Sequence, residues 1–312
     1  MSERNKNGIV VVGAVFVDIK GYPLDKYIPD GRNVGRVIEV HGGVSRNVVE
    51  DIANVELRPT YVSLVDNSGT STDVIEKLKR HKVNTDYMKR VEGGLGTWLA
   101  IFDNDGDVTA SISSRPNLAE IEKTFEEHGD EIVSNADAIV VEIDMESSIL
   151  KTIFNLAEKY DKKVYAVVSN MTIAMERRDL LKKTSCVVCN QEEASLLFSE
   201  DYSQMSPEEL SKILARRLEL SQFPRMIITM GSKGAVWADE DGSYGVCPPQ
   251  KVAVVDTAGC GDAFFAGVAI GLTYGKNLPE SCEIGTRLAS SVIATKENVC
   301  PRFLPEEFAL DI

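Results

Sequence analysis

DTAGCGDAFFAGVAIGLTYG, residues 256–275, sets small residues (Ala258, Gly259, Cys260, Gly261) in front of one acid, Asp262, and follows it with an apolar run. KVAVV comes just before and reads as a sheet strand, so the order is strand, glycine turn, buried helix. That order belongs to a domain in which strands and helices alternate. Glycines let the amides of residues 259–262 turn inward together, and the helix N-terminus adds positive potential at the same place. Such a nest holds an anion. A carboxylate in the first helical turn would repel a phosphate that is merely bound. Asp262 therefore reads as a base that takes a proton from a hydroxyl attacking phosphorus. The competing reading is an N-cap on a core helix that packs closely through Gly267 and Gly271.

The same pattern runs through the rest of the chain. GIVVVGAVFVD, TYVSLVD, AIVVEID, KVYAVVS, CVVCN and MIITMG are short, rich in Val and Ile, and unalternating, as strands covered on both faces of a parallel sheet are. Amphipathic segments separate them: SRNVVEDIANVE, STDVIEKLKRHK, SSILKTIFNLAEKY and SPEELSKILARRLELS. The last opens on Ser206 as N-cap, Pro207 and an acidic first turn. The expected fold class is α/β, a doubly wound, mostly parallel sheet flanked by helices, in one domain over residues 1–312. Two segments break the alternation. Residues 20–41 are rich in turn formers and end in a polar/apolar strand, and residues 94–113 read as a hairpin turning at Asp103-Asn104-Asp105-Gly106. Together they predict a small projecting β-sheet, either a lid over a site or an edge that serves a dimer. Trp98 and Phe102 share one of its faces.

Composition narrows the function classes. A chain of 312 residues with 43% hydrophobic content can bury a full core. A formal charge of -14 with no Lys/Arg cluster argues against a nucleic-acid partner. The first apolar run is too short to span a membrane and contains Asp18, and no signal peptide is read. The expected setting is cytoplasmic, with reduced thiols. Cys186 and Cys189 form a CxxC, but on a strand residues three apart face opposite ways, and no second CxxC or nearby His completes a zinc site. His41, His81 and His128 lie far apart, which supports neither a metal site nor a Ser/His triad.

Asp256-Thr257-Ala258-Gly259-Cys260-Gly261-Asp262 resembles the D-T-x-G-A-G-D signature of the ribokinase-like (PfkB) carbohydrate kinases. VVGAVFVD is similar to that family's first strand, and HGGVSRNVVEDIANV to its N-terminal signature. CNQEEASLL resembles its N-x-x-E and TMGSKGAV its T-x-G-x-x-G, all in family order along nearly the whole chain. The resemblance implies a ribokinase-like fold with a lid and transfer of the ATP γ-phosphoryl group to an alcohol. By position, Asp262 would be the base, and the amides of Gly259, Cys260 and Gly261 the anion hole, with Cys260 where the family has Ala. Glu193 would organise Mg²⁺ through water, and Asn190 would approach the nucleotide phosphates. Thr229, Gly231 and Gly234 would form the turn on which ATP lies, and Asn298 would line the adenine pocket. Asp18, Gly42, Gly43 and Asn47 would bind the sugar. Asp144 sits at the C-terminal end of a strand, where open α/β sheets take ligands. A monovalent cation (K⁺) near Asp256 and a homodimer formed through the lid belong to the same implications. Without the family, Asn190–Glu193 is a strand end and helix start, GSKG a tight turn, Asp18 a strand-end acid, and Gly42-Gly43 the bend before a helix.

GGVSRN resembles the pseudouridine kinases, as do DIKGYP and FDNDGDVTASIS. SSRPNLAEI departs from their acidic Asn-Asp-Met pattern, and YAVVSN has Val167 where an acid or Asn is usual. The expected acceptor is the 5′-hydroxyl of a ribosyl compound, pseudouridine first, another sugar or nucleoside second. A dinucleotide-dependent oxidoreductase is disfavoured, because Gly13-Ala14-Val15-Phe16 offers no G-x-G-x-x-G before a helix. A catalytically dead binding protein on the same fold is the other class, and the presence of Asp262 argues against it.

Overall fold

The computed structural model describes residues 7–310 and Ile312. In chain order the strands are β1 (Gly8–Val12), β2 (Phe16–Pro23), β3 (Gly35–Gly42), β4 (Thr60–Val65), β5 (Met88–Arg90), β6 (Gly96–Phe102) and β7 (Val108–Ser114). They continue as β8 (Ala136–Glu142), β9 (Val164–Val167), β10 (Val187–Asn190), β11 (Arg225–Thr229), β12 (Ala235–Asp239) and β13 (Tyr244–Cys247). Nine strands form one sheet in the order β13-β12-β11-β10-β9-β8-β1-β4-β5. Neighbours from β5 to β11 run parallel, while β12 and β13 add an antiparallel edge. Strands β1 and β4 are buried throughout, which is why their sequences do not alternate.

Helices cover both faces, and each face has its own apolar core. Cys186 packs in one core and Cys189 in the other, as strand geometry requires of residues three apart. The helix read at SPEELSKILARRLELS runs Pro207–Ser221 on a capping box between Ser206 and Glu209. Helices Cys260–Thr273 and Leu278–Ile293 pack closely, Gly267 lying directly on Gly285. Among the described residues, no helix is long and apolar enough to cross a membrane.

The projecting sheet has four strands, ordered β3-β2-β6-β7, with β2 and β6 parallel and the outer pairs antiparallel. The hairpin turns where the sequence places it, with Gly106 at φ 91°. The sheet begins earlier than residue 20, however. GIVVVGAVFVD is two strands: β1 stays in the main sheet, and the chain leaves it at Gly13 to start β2 at Phe16. Asp18 and Lys20 put charge on one face of that second piece, which a layer covered on both sides would not tolerate. Asp18 thus belongs to the lid and does not end the first strand.

KVAVV also departs from expectation. Residues 251–255 form no strand, and Val254 and Val255 are exposed. Pro248 and Pro249 end β13 just before, and a residue without an N–H cannot extend a ladder. The segment instead forms one wall of a cleft.

Candidate active site

Two cavities of about 500 Å³ flank the N-terminus of helix Cys260–Thr273. The first is lined by Thr229, Gly231 and Gly234 from the β11–β12 turn, by Lys251, Val252 and Val254, and by Cys260 and Gly261. The second lies under the lid and is lined by Asp18, Gly43, Asn47, Trp98, Glu142 and Asp144 among others. Asp262 stands between them, and Asn47 donates to its Oδ2 at 2.6 Å. Residues 215 positions apart in sequence are thereby brought to one point.

The nest forms as glycine chemistry requires. Gly259 is the N-cap at φ 79°, and a Cβ there would collide with the carbonyl of Asn298. The Cys260 amide donates weakly to Thr257 O at 3.3 Å, and Ala263 N donates to Gly259 O at 3.0 Å. Among the described residues, nothing accepts from the amides of Gly259, Gly261 and Asp262. No side chain caps this helix, so Asp262 does not serve as an N-cap. Free donors at a helix N-terminus suit an anion, and Gly261 among them lines the first cavity. The Asp256 carboxylate steadies the preceding turn by accepting from Ala258 N at 2.9 Å.

Burial pushes the Asp262 carboxyl up to about 7, with the nearby Asp18 charge adding, against the pull of the Asn47 hydrogen bond and the Arg46 charge. A group poised there can hold or release a proton near neutrality, as a general base must. Asp18 is also raised, chiefly by burial. Gly42 gives the Asp18 carboxylate room, and Gly43 at φ 97° turns the chain into helix Val44–Asn54.

Three supporting side chains were not legible as site residues. Arg46, buried at 1% side-chain exposure, donates to Glu50 Oε2 (2.6 Å), to Gly42 O (3.3 Å), and also to Asn47 Oδ1 and His41 O. It fixes Asn47, and through Asn47 it fixes Asp262. Glu142 accepts from Ser45 N at 3.0 Å on the cavity floor, and burial, with Asp144 nearby, raises its carboxyl to about 7. An acid inside the apolar run AIVVEI was the available signal. Ser45 and Arg46 lie in the first turn of helix Val44–Asn54, with nothing in their spacing to mark them as site support.

The nucleotide-side expectations are met unevenly. Asn190 is registered opposite Thr229, at the mouth of the first cavity. Its side chain accepts from Glu193 N at 2.8 Å, and Glu193 Oε2 accepts from Asn190 N at 2.8 Å. N-x-x-E is thus a capping box in this structure, which leaves Oε1 of Glu193 to face other partners. Among the described residues, no group of three or more His, Cys, Asp or Glu side chains could hold a metal alone. Asn298 does not line the cleft: its Nδ2 donates to His41 O at 2.9 Å, and its carbonyl backs Gly259. It supports the nest from behind.

Free amides at a helix N-terminus, a carboxylate beside them and a second cavity across it fit a phosphotransferase with an alcohol acceptor. The chain belongs to the pfkB family of carbohydrate kinases, whose family model matches residues 6–301. It is 32% identical over 294 residues to a guanosine-inosine kinase of Exiguobacterium acetylicum, covering 94% of this chain and 96% of that protein. Identity to a pseudouridine kinase of Escherichia coli (strain K12) is 23% over 292 residues, covering 93% and 92%. A ribokinase of Arabidopsis thaliana solved with ribose and ATP matches at a TM-score of 0.80 and 20% identity, covering 95% of this chain and 96% of that one. A ribokinase of Giardia lamblia matches at 0.81 and 15% identity, covering 96% and 98%. The two structural likenesses carry the fold.

Proposed function

We propose that the protein transfers the γ-phosphoryl group of ATP to the 5′-hydroxyl of a ribonucleoside. The observation that carries this reading is the 2.6 Å contact between Asn47, from the lid-covered cavity, and Asp262, at the mouth of the nucleotide cleft. An acceptor hydroxyl placed there lies within reach of the base, while the free amides of residues 259–262 meet the transferring group. Those amides stabilise the charge that builds on the phosphoryl oxygens. Asp262 takes the hydroxyl proton. Asp18, Gly43 and Asn47 orient the sugar, and Arg46 keeps Asn47 in place.

Mg²⁺ fits as a companion of the triphosphate, since it keeps much of its water and needs few protein ligands. Glu193 is suited to hold such water through Oε1. It would supply charge neutralisation at the phosphates. A monovalent cation beside Asp256 would steady the turn that leads into the nest. On the lid, Asp18 and Trp98 share the face over the cavity, so the adjacent register pair Leu99 and Ile112 faces away. Leu99, Ile112 and Val37 are 40%, 70% and 71% exposed, a surface that a second copy of the chain would cover.

Both relatives above are named as nucleoside kinases, which supports a nucleoside over a free sugar and sets guanosine and inosine beside pseudouridine as acceptors. ATP consumption measured over pseudouridine, inosine, guanosine, uridine, ribose and fructose tests the reading. Turnover with one or more nucleosides is expected. Turnover with ribose or fructose alone would remove the nucleoside, and turnover with none would remove the kinase reading.

A further inference from the structure

The acceptor cavity extends beyond the groups that handle phosphoryl transfer. Arg115, Asp144 and Ser169 line it as well. The Asp144 side chain is only 9% exposed. Its Oδ2 accepts from Ser169 Oγ at 2.6 Å and stands 3.6 Å from Arg115 Nη1. Oδ1 has no hydrogen-bond partner and is shielded from solvent. An acceptor left in that state is costly, so a ligand that donates to it gains more than an ordinary hydrogen bond. Arg115 follows β7 at the end of the lid, its side chain 53% exposed. A guanidinium carries five N–H donors and no acceptor, and an ionised carboxylate only accepts.

Once Arg115 has swung aside, an acceptor-only group beside a donor-only group complements an N–H next to a C=O. The lactam edge of a nucleobase has that pattern. Inosine, guanosine, uridine and pseudouridine carry it. Adenosine and cytidine carry the reverse, a bare ring nitrogen beside an amino group, which would set a lone pair against the carboxylate. We propose, building on the nucleoside-kinase reading, that Asp144 and Arg115 select nucleosides by this lactam edge: Asp144 accepts the ring N–H and Arg115 donates to the adjacent carbonyl oxygen. Ser169 holds the Asp144 carboxylate in register. Seating the base requires Arg115 to swing from Asp144, and its place at the end of the lid gives it that freedom.

The test is kcat/KM by ATP consumption in matched pairs that differ only at the edge: inosine against adenosine, uridine against cytidine, and inosine against 1-methylinosine, whose N–H is blocked. A site built to hydrogen-bond one pattern rejects its inverse by about 10²-fold or more, and that preference for inosine and uridine is expected. Asp144→Asn adds an N–H donor beside one remaining acceptor, so the site can pair with either edge, and the inosine-to-adenosine ratio should fall at least about tenfold. Equal use of the paired nucleosides, a preference for adenosine, or 1-methylinosine turned over as well as inosine would overturn the proposal. So would an unchanged ratio in an Asp144→Asn variant with the parent melting temperature. If that variant does not fold, the 1-methylinosine comparison on the parent protein decides alone. Turnover of ribose but no nucleoside sinks the lactam assignment and leaves a kinase, whereas no turnover with any acceptor sinks both.

Discussion

Asp262→Asn separates chemistry from stability at one position. The amide keeps the shape, and its oxygen can still accept from Asn47, so substrate should bind. Turnover should fall about 10²–10⁴-fold, the usual contribution of a general base. Stability should move the other way. Burial opposes the charge and pushes the folded carboxyl up to about 7 from its ordinary value of 3.8. Between about pH 4 and pH 7 the unfolded chain has released this proton and the folded protein still holds it. Stability therefore falls as pH rises through that window and levels off above 7. A rise from 3.8 to about 7 corresponds to ~4 kcal/mol at most. Asp262 keeps some contact with solvent at the helix end, which reduces the penalty to about 1–2 kcal/mol. The Asn variant has no charge to bury. With an unfolding entropy near 2.1 cal/mol/K per residue over 312 residues, it should melt roughly 2–3 °C above the parent at pH 8 and level with it below pH 4. Differential scanning calorimetry across pH, beside steady-state kinetics, measures both. In the parent, kcat/KM should climb through about pH 7 with unit slope. Near-parent turnover in the variant would refute the base. A lower melting temperature at pH 8, or a difference that ignores pH, would refute the desolvated carboxylate.

Three other substitutions probe the supporting structure. Gly259→Ala forces a Cβ into the Asn298 carbonyl at a residue with φ 79°, so a loss of about 2 kcal/mol or more is expected together with a drop in kcat; an unaltered melting temperature would show that the turn is not as described. Arg46→Lys leaves one ammonium to serve four acceptors, one of them the buried Glu50 carboxylate. It should cost about 3 kcal/mol in denaturant unfolding and lower kcat through Asn47, and a neutral result would remove Arg46 from the site's support. Glu193→Gln can keep the capping box, so the fold should hold while the Mg²⁺ concentration for half-maximal rate rises several-fold. Unchanged metal dependence would confine Glu193 to capping.

The main sheet was legible because its strands are buried on both faces and their sequences say so without help from neighbours. The lid was legible as a hairpin for the same local reason: alternation broken by Asp103–Gly106. Errors came where a single apolar run hid a change of partner. GIVVVGAVFVD carries no turn residue stronger than Gly13, yet the chain crosses from one sheet to another there. Apolarity without context misled again at KVAVV, whose valines wall a cleft and pair with no strand. The family resemblance sets Asn298 in the adenine pocket, whereas the fold puts its carbonyl behind Gly259.

The two halves of the site differ in legibility for a physical reason. Holding a phosphoryl group depends on backbone amides in one short turn, and only certain residues allow that turn. Its chemistry is therefore written in consecutive letters, Asp256 to Asp262. Reading a base depends on side chains that converge from distant elements: Arg115 after β7, Asp144 after β8, Ser169 after β9. Each of the three is an ordinary polar residue at a strand end, and no spacing rule links them. Their meaning arises when parallel strands bring their C-terminal ends to one crevice and the lid closes over it. The same contrast explains how relatives can share the transfer machinery while their acceptors differ. Changing the acceptor needs a few scattered side chains, whereas changing the reaction would require rebuilding the turn.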